Sequence, residues 1–451
     1  MSSKNHYDVT EHPQGNAHED IGAVINSIIT DIKTRQSERD VNQGGKPGAV
    51  IYIPPGDYHL RTQVVIDVSY LKIVGAGHGF TSSSIRFNTP SEELAQWHEI
   101  WPGGSRVHVD LVPGDGGDDA ASAAFCVRRA GNPRISSVEF ADFCIDGLHF
   151  VDDGSGRDDP ENTYLNGKTG IHVASANDSF RITGMGFVYL EHGLVVHDAD
   201  ALTVDGNFVA ECGNCIELKG HGQASRISNN FVGAGYRGHS IYAENYGGLL
   251  VSANNVFPRG ASSVHFSGVV RSSITGNRFH SFYPGMLVFS ENCCENLVSA
   301  NHFLRDREPW APMVAYDNGL DDQYGLLRIE GSNNSIVANH ISETIDQNYI
   351  RPVSKRPVII RMVTGRGNYI ASNHIVATTE TSRSSNAPNS ACFATQVGAL
   401  LSTENLQRLD VIVVQVEPGS AQNTILDCGS DRQVEIDRSA NAFRATPAVG
   451  A

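Results

Sequence analysis

A short pattern keeps returning along this chain: a small or polar residue, then Asn, then an apolar residue close behind. It stands at Asn207 (GNFV), Asn230 (NNFV), Asn255 (NNVF), Asn277 (GNRF), Asn301 (ANHF), Asn339 (ANHI) and Asn373 (SNHI). By subtraction, the successive separations are 23, 25, 22, 24, 38 and 34 residues. A period in the twenties held over four intervals requires stacked units, because one globular core has no reason to repeat at fixed spacing. Each unit carries short β-type runs, such as Leu194-Val195-Val196, Ser240-Ile241-Tyr242, Leu249-Leu250-Val251 and Gly325–Ile329. These runs are broken by Gly, Asn and Asp, which accept tight-turn backbone angles. Such a period suits three short strands and three turns, one coil of a single-stranded parallel β-helix with Asn stacked on Asn at one corner. The two long intervals predict coils with insertions near Arg305–Asp322 and Thr344–Arg356.

Composition narrows the alternatives. Apolar residues make up only 40% of the chain, which fits a thin elongated core better than a large globular one. The repeat units lack a helical apolar period, which argues against helical repeats. A net charge of −16 repels polyanions, so no nucleic-acid partner is expected, whereas a neutral polysaccharide would be indifferent to it. No apolar run approaches membrane-spanning length, and the polar start MSSKNHYDVTEHPQGNAHED has no apolar signal core. Of the eight cysteines, Cys212 and Cys215 invite a redox or zinc reading, but no second ligand pair stands at matching spacing. Buried free thiols are the expectation, together with no metal and no cofactor. The eighteen histidines show no HxxxH or HExxH spacing and read as scattered surface and turn residues.

Along the chain, residues 1–19 read as a loose arm. From Asp20, the residues Ile21, Val24, Ile25, Ile28 and Ile32 form a helical stripe. A helix there would cap the open end of a β-helix, which otherwise exposes unpaired strand edges. The expected organisation is an arm and capping helix over 1–48, the β-helix with inserted loops over 49–440, and a tail over 441–451. Residues 90–170 and Thr378–Asn405 break the rhythm and read as long loops.

The densest ionisable group lies in GFVYLEHGLVVHDADALTVDGNFVAECGNCIELKGHG. It offers Glu191, His192, His197, Asp198, Asp200, Asp205, Glu211 and Glu217 within about one and a half coils. Glycosidic chemistry needs two carboxyls, one protonated to release the leaving oxygen and one ionised to activate the attacking group. Two residues about half a coil apart can lie on neighbouring strands and face one groove. Asp200 and Glu211 meet that condition, and so do several other combinations.

At this stretch the sequence resembles a known family. GMGFVYLEHGLVVHDADA, FVAECGNCIELKG, SIYAEN and FYPGM, with IPPGDYHL and GLDDQYGLLRIEG, are similar to the inulin fructotransferases and the difructose anhydride hydrolases. The resemblance runs from about Asp20 to Ala377. It implies a right-handed parallel β-helix, a homotrimer with active sites between subunits, and a catalytic pair at Asp200 (in HDADA) and Glu211 (in AECGNC). Glu211, flanked by Ala210 and Cys212, is the expected general acid and Asp200 the base or cation stabiliser. Their carboxyls are expected about 6–9 Å apart. His192, His197, Glu217 and Glu244 are the neighbours expected to touch substrate hydroxyls.

The implied reaction cuts a terminal disaccharide from inulin through attack by one of its own hydroxyls, giving a cyclic difructose dianhydride, with dianhydride I favoured over III. Holding that hydroxyl near the anomeric carbon supplies rate by proximity. The alternative within the family opens the dianhydride with water, giving inulobiose. A transferase acting on polymeric inulin would be secreted; a hydrolase of an imported dianhydride would be cytoplasmic. A non-catalytic β-helical carbohydrate-binding protein and a pectate-lyase-like enzyme are the readings from other classes. The first lacks a reason for concentrated carboxylates, and the second normally needs calcium-binding aspartates and a basic catalytic side chain.

Overall fold

The computed structural model describes residues 5–37, 48–79, 103–111, 120–131, 134–148, 166–234, 238–257, 262–281, 284–307, 324–346, 357–380, 406–408, 411–426, 433–436 and 443–445. The chain divides into two compact units, Met1–Ser83 with Pro90–Arg237, and Ser84–Thr89 with Gly238–Ala451.

In the first unit one coil runs through strands Arg181–Thr183, Gly186–Val188 and His192–His197, then the two-residue strand Ala199–Asp200. The next coil repeats the order with Thr203–Asp205, Phe208–Cys212 and Asn214–Lys219. Each strand pairs in parallel with its counterpart, as in Arg181↔Thr203, Gly186↔Phe208 and His192↔Asn214. The second unit follows the same plan, with Leu250↔Ser273, Asn255↔Arg278 and Val264↔Leu287. The fold is a right-handed parallel β-helix. Alternation sets which residues face inward: Ile182 and Val204 from one sheet, Phe187 and Val209 from another, and Leu194, Val196, Ile216 and Leu218 from the third are all buried. A one-residue slip would turn each of these rows outward, so the register is fixed by the core.

The asparagine column exists, with one correction. Asn207 donates from its backbone N and Nδ2 to Asn230 Oδ1 (2.9 and 2.8 Å). Asn254, rather than Asn255, makes the same pair of bonds to Asn277 (2.9 and 2.9 Å). Asn277 continues to Asn301, Asn301 to Asn339, and Asn339 to Asn373. Asn255 is exposed instead. The reason is the residue before each ladder position. Gly206, Asn229, Ala253, Gly276, Ala300, Ala338 and Ser372 all have φ between 52° and 67°. This left-handed backbone favours Gly and Asn and, among other residues, is tolerated best by small ones. Ala253 makes the corner, so the residue after it enters the column. A second asparagine column runs through Asn296, Asn334, Asn368 and Asn423.

The N-terminal helix, Ala17–Ser37, buries Ile21, Val24, Ile25, Ile28 and Ile32 against strands Gly56–Leu60 and Val64–Ile66. The backbone leaves helical geometry at Asp20, whose Oδ1 accepts N–H bonds from Gly22, Ala23, Arg61 and Thr62. Asp20 therefore caps the main helix and pins it to the first coil. Burial alone would raise its carboxyl pKa. The hydrogen bonds outweigh that and lower it.

Three expectations need revision. The arm is anchored, because His6–Asp8 pairs in parallel with Ala49–Tyr52. The tail contains a strand, Phe443–Ala445, paired with Thr424–Leu426. Residues 90–170 include strands in coil register, such as Ser105–Val109, Ala123–Val127 and Cys144–Asp146. The Gly-Asp-rich stretches expected to loop out within that range, most of both predicted insertions, residues 381–405, Cys392 and Cys428 lie outside the described residues.

Candidate active site

The predicted site residues of the first unit sort onto the two ends of one strand layer, His192–His197 stacked on Asn214–Lys219. At the end where the chain enters these strands stand Glu211 and His192, and Glu217, in mid-strand, reaches His192. Glu211 has left-handed backbone (φ 52°), as does Tyr189 one coil earlier. It is also the extra residue of a bulge, because Ala210 pairs with Gly233 and Cys212 with Ala234. Bulges re-aim a side chain without breaking the neighbouring pairs.

Next to it, Glu217 lies almost wholly buried in the strand layer. Its carboxylate takes a 2.5 Å hydrogen bond from His192 Nδ1 and pairs with Lys219 Nζ at 3.3 Å. Burial alone would push this carboxyl up. The His192 hydrogen bond and charge, with Lys219, overcome that and hold it below the usual range. Glu191 accepts the Gly167 backbone N–H at 2.6 Å and lies 4.0 Å from His192 Nε2. A carboxylate-oriented imidazole with a second carboxylate beyond it can exchange hydrogen bonds with sugar hydroxyls. Lys168 reaches the carbonyls of Val109 and Gly147, and burial lowers its pKa, against the opposing charges of Asp110 and Asp146.

At the opposite end of the layer stand His197 and Asp200. Asp200 is partly exposed and ion-pairs with Arg134 Nη1 at 2.6 Å. The His197 ring lies 5.2 Å from that of His172. Asp200 and Glu211 stand at the two ends of this six-residue strand layer, whose extended length is about 20 Å. Half a coil thus carries a residue across a face of the β-helix. In the second unit, Glu244 ends strand His239–Glu244 and accepts a hydrogen bond from Tyr242 Oη at 2.9 Å.

Cys212 and Cys215 are buried free thiols, as are Cys126, Cys144 and Cys293. Burial first, then the neighbouring Cys212, raises the Cys215 pKa, with Glu211 and Glu217 adding to it. Cys215 is therefore a poor metal ligand. No group of three or more His, Cys, Asp or Glu able to hold a metal ion occurs among the described residues.

Comparison with known proteins places this architecture. The pattern described as "Beta helix repeat of Inulin fructotransferase" matches residues 300–447, and one described as "Periplasmic copper-binding protein (NosD)" matches residues 150–318. The DFA-I-forming inulin fructotransferase of Arthrobacter globiformis is 43% identical over 365 residues, covering 79% of this chain and 85% of that protein. This chain belongs to the family of inulin fructotransferases and difructose anhydride hydrolases. Crystal structures of DFA-IIIase from Arthrobacter chlorophenolicus A6 superpose with a TM-score of 0.89 at 66% identity, covering 99% of this chain and, in the C387A mutant, all of that one. Complexes of that enzyme with DFA-III and with GF2 are among them. Membership makes the chain a fructan-acting enzyme of the fructosyl-transfer or difructose-anhydride type.

Family motifs singled out Asp200 and Glu211, but several groups around them left no signal in the sequence. Arg134 lies 66 residues before Asp200, and Lys168 lies outside the acidic stretch. Only coil stacking brings them in.

Proposed function

We propose that this protein opens a difructose dianhydride, DFA III foremost, by hydrolysis to inulobiose. The supporting observation is the grading of resemblance: 66% identity over 99% of the chain with DFA-IIIase, against 43% over 79% with the fructotransferase. In this reading Glu211 donates a proton to the departing glycosidic oxygen. Asp200 takes a proton from water as the water oxygen bonds to the anomeric carbon. One carbon–oxygen bond breaks and one forms. The ketose oxocarbenium character of the transition state is stabilised by the carboxylate, and the His192–Glu217 pair binds sugar hydroxyls.

The separation of the two carboxyls bears on assembly. Glu211 and Asp200 lie at opposite ends of the same layer, so the pair closes when the Glu211 end of one subunit meets the Asp200 end of a neighbour. Such a head-to-tail contact closes as a ring, and a homotrimer is the ring proposed here. The test is complementation. Asp200→Asn and Glu211→Gln are each expected to be inactive on DFA III yet folded and trimeric. Co-refolding the two should restore activity, because mixed trimers contain junctions with both native carboxyls. Two folded variants that fail to complement after mixing would defeat the shared-site arrangement.

The second reading, transfer, is favoured by the DFA-I-forming relative. Separate incubations with inulin and DFA III distinguish the two. Cyclic disaccharide from inulin supports transfer, and inulobiose from DFA III supports hydrolysis.

A further inference from the structure

Three consecutive coils of the second unit carry a histidine directly after the ladder asparagine: Asn301-His302, Asn339-His340 and Asn373-His374. Because the asparagines are in register, the histidines are too, with His302↔His340 and His340↔His374 as strand partners. Inward-facing Phe303, Ile341 and Ile375 follow them, so the imidazoles stand on the outer face. The ring centroids are 4.9 and 4.8 Å apart. These histidines are therefore a column, not the scattered residues that spacing along the sequence suggested.

The last two rings do more than stack. His340 Nδ1 and His374 Nδ1 are 2.9 Å apart. Two imidazole nitrogens each about 2.05 Å from one metal ion, and about 90° apart at it, are separated by about 2.9 Å. His340 Nε2 lies 3.0 Å from Ser342 Oγ. If Nε2–H donates to that oxygen, the Nδ1 lone pair is left facing His374, the kind of outer contact that orients metal-binding histidines. His374 is exposed and His340 half-buried, so the pair is open to solvent.

We infer that His340 and His374 form a two-histidine chelate for a borderline divalent transition metal, copper(II) foremost, with water completing its coordination. Nitrogen donors exclude calcium and magnesium, which take oxygen, and copper(II) heads the affinity order for such ligands. In the free protein one Nδ1 carries a proton shared across the 2.9 Å contact. The ion replaces that proton and releases it to solvent. His302 lies one coil further back, edge-on to His340, and is not assigned as a ligand. The inference is independent of the substrate reading, since it uses none of the groups at Glu211 or Asp200.

The test is titration of the whole protein with copper(II), read by calorimetry in two buffers of different ionisation heat and by electron paramagnetic resonance. The expected result is a site whose spectrum shows two coupled nitrogens and whose binding releases one proton. His340→Ala and His374→Ala should each abolish that spectrum while leaving the melting transition in place. Ser342→Ala should weaken binding about tenfold, and His302→Ala should leave the two-nitrogen signal intact. An unchanged spectrum in both His340→Ala and His374→Ala, or a wild-type spectrum with a single coupled nitrogen, would overturn the assignment.

Discussion

The coils before Asn207 and the coils from Asn277 onward share one plan but hold their corners differently. In the first unit, the residues following left-handed Ser137, Ser179 and Ala201 are Val138, Phe180 and Leu202, all buried and apolar. At another corner of the same unit, Phe143 and Met185 follow Asp142 and Gly184. In the second unit the equivalent corners carry Asn277, Asn301, Asn339 and Asn373, and in the other column Asn296, Asn334, Asn368 and Asn423. Amide columns fix register by directional bonds that repeat from coil to coil. Apolar corners fix it by packing alone, which leaves the outer contour freer. The bulge at Glu211 and the buried Glu217–His192 contact occur where the corners of the first unit pass from apolar residues to Asn207 and Asn230. The bulge and the amide column do different work, and substitutions in the two should fail in different ways.

The largest contrast should come from Glu211→Gln. Turnover is expected to fall by at least about 10²-fold, with an unchanged denaturant midpoint, because the amide keeps the size of the side chain. Steady-state kinetics beside urea unfolding measures both. Asn301→Ala should behave in the opposite way. Asn301 Oδ1 accepts from the backbone N and Nδ2 of Asn277, and its own Nδ2 donates to Ile274 O and Asn339 Oδ1. Leaving those buried groups unpaired should cost about 3 kcal/mol of stability, while turnover per folded molecule holds. A turnover loss in Asn301→Ala larger than its stability loss explains would break the division of roles.

A finer comparison uses adjacent residues. Asn254→Ala should cost about 2 kcal/mol, since it removes the buried side-chain bond to Asn277 Oδ1. Asn255→Ala, one residue on and exposed, should change the midpoint by less than about 0.5 kcal/mol. Equal losses for the two would place the column elsewhere.

The smallest effect concerns acid. Glu217 titrates below its ordinary value of 4.5 in the folded protein. The stabilisation this gives is therefore complete above that value and lost as pH falls through the depressed one. Glu217→Gln should lose this part of the acid sensitivity, so its unfolding midpoint should fall less steeply than wild type across that window. A wild-type slope in the variant would show that His192 and Lys219 do not act through this carboxylate.

Much of this organisation is legible in the sequence, and the failures have physical causes. The Asn period announces the coil because, from Asn207 to Asn373, the rungs set a side-chain amide after the left-handed corner. The tandem Asn254-Asn255 hides which residue is inward, since Ala253, not either asparagine, decides it. The second column escapes notice because its members are separated by 38, 34 and 55 residues. Asp200 and Glu211 are eleven apart, and counting residues cannot tell two neighbouring strands from two ends of one face. The stripe from Ile21 to Ile32 is readable because a helix has its own local period, independent of what it covers.

The column bonds have a consequence for how such a chain can change. Asn277 and Asn301, 24 residues apart, are joined at 2.9 Å, and Asn301 and Asn339, 38 apart, at 3.0 Å. Fourteen additional residues leave the spacing of the rungs as it was. Chain length between corners is thus uncoupled from the geometry of the corners themselves. New segments can be added, exchanged or trimmed between two asparagines, and the scaffold that receives them stays in the same register.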